Sequence, residues 1–174
     1  MKPLFASMVR ATRRFNHVFV VNGGAAYNIC VPCWPEVDAM ERVLSNESRS
    51  RYDFPLDAGM PPVELHQLEK ITQREIRKRE HLYVFSFGTN PANQGQGLGR
   101  VAMRGAIRVA DERGIPIALQ TMTEKNRRIY ERYGFKVVGQ LTVPESSDPW
   151  YCMIREPPPG AAAAVPVEDP PSQT

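Results

Sequence analysis

A chain of 174 residues with 42% apolar content is long enough for one domain with a real core and cramped for two. Its net charge of +3 suits a small anionic ligand and is too mild to argue for nucleic acid. Three cysteines, an odd number, build no disulfide framework; no run reaches the roughly 18 apolar residues of a membrane span, and the N-terminus lacks a signal-like apolar core, so an intracellular protein is expected.

In chain order, Leu4, Phe5, Met8, Ala11 and Phe15 recur at helical spacing and predict an amphipathic helix over residues 3–15. A β-branched run at 17–21, the turn signal Asn22-Gly23-Gly24 and a second run at 25–31 predict a hairpin. Cys30 and Cys33 form a C-x-x-C. A redox pair needs its first cysteine at a helix N-terminus, whereas this motif closes a strand ending at Pro32. A zinc site needs a second pair of ligands, and only Cys152, His17, His66 and His81 remain. Structural thiols fit better, with a redox or metal module as the alternative. Prolines and polar residues break the chain over 32–62, apart from a short helix at 36–44. Leu65, Leu68, Ile71 and Ile76 then mark an amphipathic helix reaching about residue 79, whose basic run from 74 to 79 reads as a solvated face.

The most informative stretch is 81–99, HLYVFSFGTNPANQGQGLG, an apolar strand followed by three glycines at alternate positions and the start of a helix. Gly95, Gly97 and Gly99 let the backbone approach a ligand closely, and the helix adds unpaired N–H groups and the positive end of its dipole, which predicts a phosphate cradle. The spacing fits neither the dinucleotide fingerprint nor the P-loop. The helix spans 98–113 with a buried stripe of Leu98, Ala102, Gly105 and Val109, while Arg100, Arg104 and Arg108 share another face, Arg100 alone being close enough to the cradle to contact an anion. A continuous apolar run at 115–122 predicts a strand buried on both faces and parallel to the first. A short helix at 125–133, stopped by Gly134, precedes strands at 135–143 and 150–155. From residue 156 the composition turns to proline and alanine, predicting one domain over 1–157 and a disordered tail over 158–174.

Gln94-Gly95-Gln96-Gly97-Leu98-Gly99 resembles the acetyl-CoA motif [QR]-x-x-G-x-[GA] of the GNAT superfamily of N-acyltransferases. Asn126 to Phe135 resembles that family's N-x-x-x-Y-x-x-x-G-F segment, and Trp150 to Arg155 resembles its W-x-M-x-R ending with one extra residue. The likeness covers about residues 80–157. It implies an α/β fold with a central mixed sheet flanked by helices, and transfer of an acetyl group from acetyl-CoA, without a metal, to a small-molecule or peptide amine. The alternative is a non-catalytic acyl-CoA-binding or partner-binding derivative.

By this resemblance the backbone of Phe87, Gly88 and Thr89 would hold the acyl carbonyl and pantetheine in a gap between splayed strands, and the stretch from Gln94 through Gly95, Gln96, Gly97, Leu98 and Gly99 to Arg100 would hold the pyrophosphate. Asn126 would bond the pantetheine arm, and Tyr130 would protonate the leaving thiolate, with Tyr133 read as packing. His81, beside Glu80 at the start of the strand, is the expected base, acting through water, because an ordinary pKa near ~6.5 suits that work. The family usually begins with a strand and two helices, whereas about sixteen residues precede the first strand here. An N-terminally shortened domain is therefore expected, its strand at 17–21 an exposed edge open to self-association.

Overall fold

The structure, a computed structural model, describes residues 18–33, 67, 70–72, 74–76, 79–142 and 149–161. The helices expected at 3–15 and 36–44, the broken stretch 45–62 and the tail beyond 161 lie outside the described residues, as does the Cys33 side chain.

Among the described residues six strands form one mixed sheet: β1 (Val18–Val21), β2 (Ala26–Cys33), β3 (His81–Thr89), β4 (Ile117–Thr121), β5 (Lys136–Leu141) and β6 (Trp150–Arg155), in the order β1-β2-β3-β4-β6-β5. Helix α1 (Leu98–Arg113) joins β3 to its parallel neighbour β4, and α2 (Glu124–Glu131) follows β4. The other pairings are antiparallel. Asn22, Gly23 and Gly24, all at positive φ, turn the expected hairpin between β1 and β2. β2 continues to Cys33, past Pro32, where the strand was expected to end; β1 pairs with it only to Ile29, so the proline sits where the outer edge has no ladder among the described residues.

The two sheet faces explain the continuous apolar run of β4. Ile117 and Leu119 join Leu82, Val84, Met103 and Met153 in the main core beneath α1, whereas Ala118 faces a second cluster with Ile76, Tyr83 and Ile154. The helical positions at 70–72 and 74–76 lie over that second face: a Cβ built on Gly139 of β5 would meet Ile71 Cγ2 at 2.5 Å. Helix α1 has the expected ends, fixed by Gly97 and Gly114 in left-handed conformation. Its buried stripe is Ala102, Met103, Ala106 and Ala110, a correction to the expected Leu98, Ala102, Gly105 and Val109. The helix is rotated by about one residue because Met103, its bulkiest core side chain, takes the centre of the interface; Gly105 instead admits Phe19 of β1, 2.5 Å from where its Cβ would be.

Candidate active site

β3 and β4 pair only at Leu82↔Ile117 and Tyr83↔Ala118, after which the β4-facing edge of β3 has no ladder partner among the described residues, although β3 stays paired with β2 as far as Thr89↔Ala26. Beyond Tyr83 the sheet is split. A bulge lies at the mouth of the split: Ile29 pairs with Ser86 and Cys30 with Val84, leaving Phe85 as the extra residue. This bulge resets the alternation of side chains. Leu82 and Val84 face the α1 core; strict period two would put Ser86 there next, but Phe87 occupies that face, its ring 6.0 Å from that of Tyr130.

The split opens into a cleft of about 500 Å³ lined by β3 (Phe87, Gly88, Thr89), the loop into α1, and α2. In the loop, Asn90 accepts a hydrogen bond from the Ala92 N–H at 3.0 Å and fixes a tight turn, after which Gly95 (φ 80) and Gly97 (φ 76) carry the chain through left-handed conformations. Gly97 is the N-cap of α1 and gives no side-chain cap, so the first-turn N–H groups at Leu98, Gly99 and Arg100, all lining residues, are left for a ligand. A Cβ at Gly97 would enter open space, whereas one at Gly99 would meet Thr89 Oγ1 at 2.9 Å, so Gly99 lets helix and strand approach each other.

Helix α2 brings in the opposite wall. Thr123 caps it by accepting the Asn126 N–H at 3.1 Å, an interaction worth about 1 kcal/mol. Asn126, Tyr130 and Tyr133 follow at helical spacing and all line the cleft. Tyr130 is 8% exposed and held edge-on by Phe135 at 5.8 Å; burial, then Tyr133, raises its pKa to about 12. Glu124 accepts from Arg127, Arg128 and the Tyr151 hydroxyl, and the two arginines' hydrogen bonds hold its carboxyl at about 2. The start of α2 is thereby tied to β6.

Of the site residues expected from the sequence, this cleft brings together Phe87, Gly88, Thr89, Gln94, Gly95, Gly97, Leu98, Gly99, Arg100, Asn126 and Tyr130; Gln96 and His81 are not among its lining. Gln96 is exposed in the loop. His81 stands at the other end of β3, 2% exposed, and burial lowers its pKa from the ordinary 6.5. Its Nδ1 lies 2.9 Å from the Arg79 carbonyl oxygen; a carbonyl only accepts, so Nδ1 carries the proton and Nε2 is the basic end. Sequence reasoning missed Asn93, Lys125 and Ile129 in the lining; Tyr133, read as packing, does pack against the main core and also lines the cleft, at a spacing from Asn126 and Tyr130 that was a readable signal. Cys30 is buried, its thiol donating to Asn28 Oδ1 at 3.5 Å, and burial raises its pKa, the reverse of a reactive thiol.

Comparison with known proteins agrees with this geometry. The model of the acetyltransferase (GNAT) family matches residues 58–135. An uncharacterized N-acetyltransferase of Schizosaccharomyces pombe is 34% identical over 116 residues, 66% of this chain; the chain spans 44% of that relative's length. The fold is shared with the Drosophila melanogaster polyamine N-acetyltransferase, which forms N-acetylagmatine (TM-score 0.59, 15% identity, 84% of this chain and 77% of that one). It is shared also with arylalkylamine N-acetyltransferase 2 of Aedes aegypti (TM-score 0.57, 12% identity, 88% and 79%). With the split sheet, the glycine loop and the asparagine-tyrosine helix on one cleft, and with family model and relative in agreement, the matched stretch of the chain, residues 58–135, belongs to the GNAT acetyltransferase family.

Proposed function

We propose that the chain transfers an acetyl group from acetyl-CoA to a primary amine, on a small molecule or a peptide, by direct attack. The observation that carries this is the cleft itself, where an open strand edge, an uncapped helix N-terminus and a buried tyrosine meet. Each answers one need of the reaction. The N–H groups at Leu98 to Arg100 suit the pyrophosphate, and the free edge of β3 suits a pantetheine lying alongside it as an added strand. The same edge supplies N–H donors for the carbonyl oxygen as charge builds on it.

The amine nitrogen forms the new C–N bond, the C–S bond breaks, and an amine proton passes to a base as the sulfur departs as thiolate. At about 12, the Tyr130 phenol lies some ~3.5 units above a thiol near ~8.5, so full proton transfer to sulfur would cost about 5 kcal/mol. Tyr130 therefore acts by holding its proton and donating a hydrogen bond to the departing sulfur. His81 lies six residues upstream of Phe87, about 20 Å along an extended strand, so it accepts the amine proton only through water. We propose self-association through β1, which is an edge of the sheet among the described residues; a strictly monomeric light-scattering mass would remove it. The activity is tested by thiol release from acetyl-CoA over a panel of primary amines, where amine-dependent release is expected and release indifferent to every amine contradicts the proposal.

A further inference from the structure

Helix α2 carries three cations, Lys125, Arg127 and Arg128, and carboxylates hold the two arginines: Glu124 accepts from both, and Glu131 pairs with Arg127 as well. Lys125 has no carboxylate within 4.0 Å among the described residues and stands exposed in the lining of the cleft, beside Asn126. The position is a poor one for a cation, because the first turn of a helix is the positive end of its dipole. Among the described residues Lys125 is also the one primary amine that lines the cleft; Lys70 belongs to the helical positions over the second face, and Lys136 starts the edge strand β5. Its reach matches the chemistry expected there. At about 1.5 Å of rise per residue, Lys125 and Tyr130 sit about 7.5 Å apart along the helix axis, and helical side chains lean toward the N-terminus, which brings the Tyr130 phenol back toward the first turn. The flexible four-carbon stem of a lysine closes the remaining interval.

We infer that Lys125 is an internal acceptor: when no amine substrate occupies the site, the chain acetylates its own Lys125 from bound acetyl-CoA. The inference rests on the acetyl-CoA reading of the cleft. The Lys125 ammonium first gives a proton to water, and its free Nζ then forms the bond to the acyl carbon. The C–S bond breaks, CoA leaves as a thiolate that accepts a hydrogen bond from Tyr130, and the second amine proton passes to water. Acetylation removes a positive charge from a cleft that takes an anionic donor, so the modified chain holds its donor less tightly. The site is thereby a brake, set when donor is abundant and acceptor is absent.

The test is incubation of the full chain with saturating acetyl-CoA and no amine, followed by peptide mapping of acetyl-lysine over time. Lys136, exposed and outside the cleft lining, is the internal control for uncatalysed acetylation. Lys125 should be labelled at least about 10-fold faster than Lys136, with a first-order rate constant independent of protein concentration, as attack within one complex requires. Tyr130→Phe should slow the labelling of Lys125 about 10-fold or more and leave that of Lys136 unchanged. Equal labelling of the two lysines, a Lys125 rate constant that grows with protein concentration, or one indifferent to Tyr130→Phe overturns the inference. Acetyl-CoA retained in native mass spectrometry without label on Lys125 overturns it while the donor cleft stands. Failure to retain acetyl-CoA removes the acetyl-CoA reading itself, and this inference with it.

Discussion

Gly97→Ala separates backbone strain from ligand exclusion. Gly97 has φ 76 and ψ 3, and a Cβ there meets nothing within 4 Å, so the protein alone resists the change only through the left-handed backbone. That strain is about 1–2 kcal/mol for alanine, offset by about 0.4–1 kcal/mol of reduced entropy in the unfolded chain. A net loss of about 1 kcal/mol lowers Tm by about 2–4 °C in a domain of this size. Gly23, in the β1–β2 turn, is the control: φ 61, ψ 24, and again nothing within 4 Å of its Cβ. The two variants should melt alike. They should differ in binding, because the space beside Gly97 is the proposed donor cleft: displacing a phosphate from one N–H donor, worth about 1.5–3 kcal/mol, weakens CoA about 10- to 100-fold. Thermal denaturation and calorimetry on both proteins check this. Equal CoA affinity in Gly97→Ala and Gly23→Ala would remove the glycine loop from the binding site.

Tyr130→Phe keeps the ring contacts with Phe87 and Phe135, so CoA affinity should hold while kcat falls about 10²- to 10³-fold, the range for one lost transition-state donor. The deficit should shrink with thioesters of more acidic thiols, and equal losses for all leaving groups would return Tyr130 to packing. If His81 accepts the amine proton, kcat/KM rises through a pKa below the ordinary 6.5, as burial dictates, and His81→Gln abolishes that limb; an unchanged pH profile assigns the ring to the core. Glu124, held at about 2 in the folded chain against an ordinary 4.5, stabilises the fold fully above about 4.5 and loses that effect as pH falls toward 2. The stability gap between wild type and Glu124→Gln in urea titrations should therefore be greater at pH 6 than near pH 2, modest throughout because the network faces solvent, and a gap independent of pH would contradict the network.

Local features were readable where glycine or alternation settles them. Gly97 and Gly114 delimit α1 because both ends need a left-handed residue, and Asn22-Gly23-Gly24 marks the hairpin for the same reason. The face of α1 was not readable: alanines and glycine are spread round the helix, and only the sheet beneath decides that Met103 points inward. The split between β3 and β4 has no local signature, since it depends on strands joined by a whole helix, and the sequence reached it only through family likeness. The bulge at Phe85 is likewise silent, yet it turns Phe87 toward Tyr130.

The central claim, that the gap between β3 and β4 is an acyl-donor site, is tested most directly by native mass spectrometry of the 174-residue chain with acetyl-CoA. One equivalent should be retained at micromolar ligand and lost on competition with free CoA; a chain that stays unliganded at millimolar acetyl-CoA would contradict the donor site.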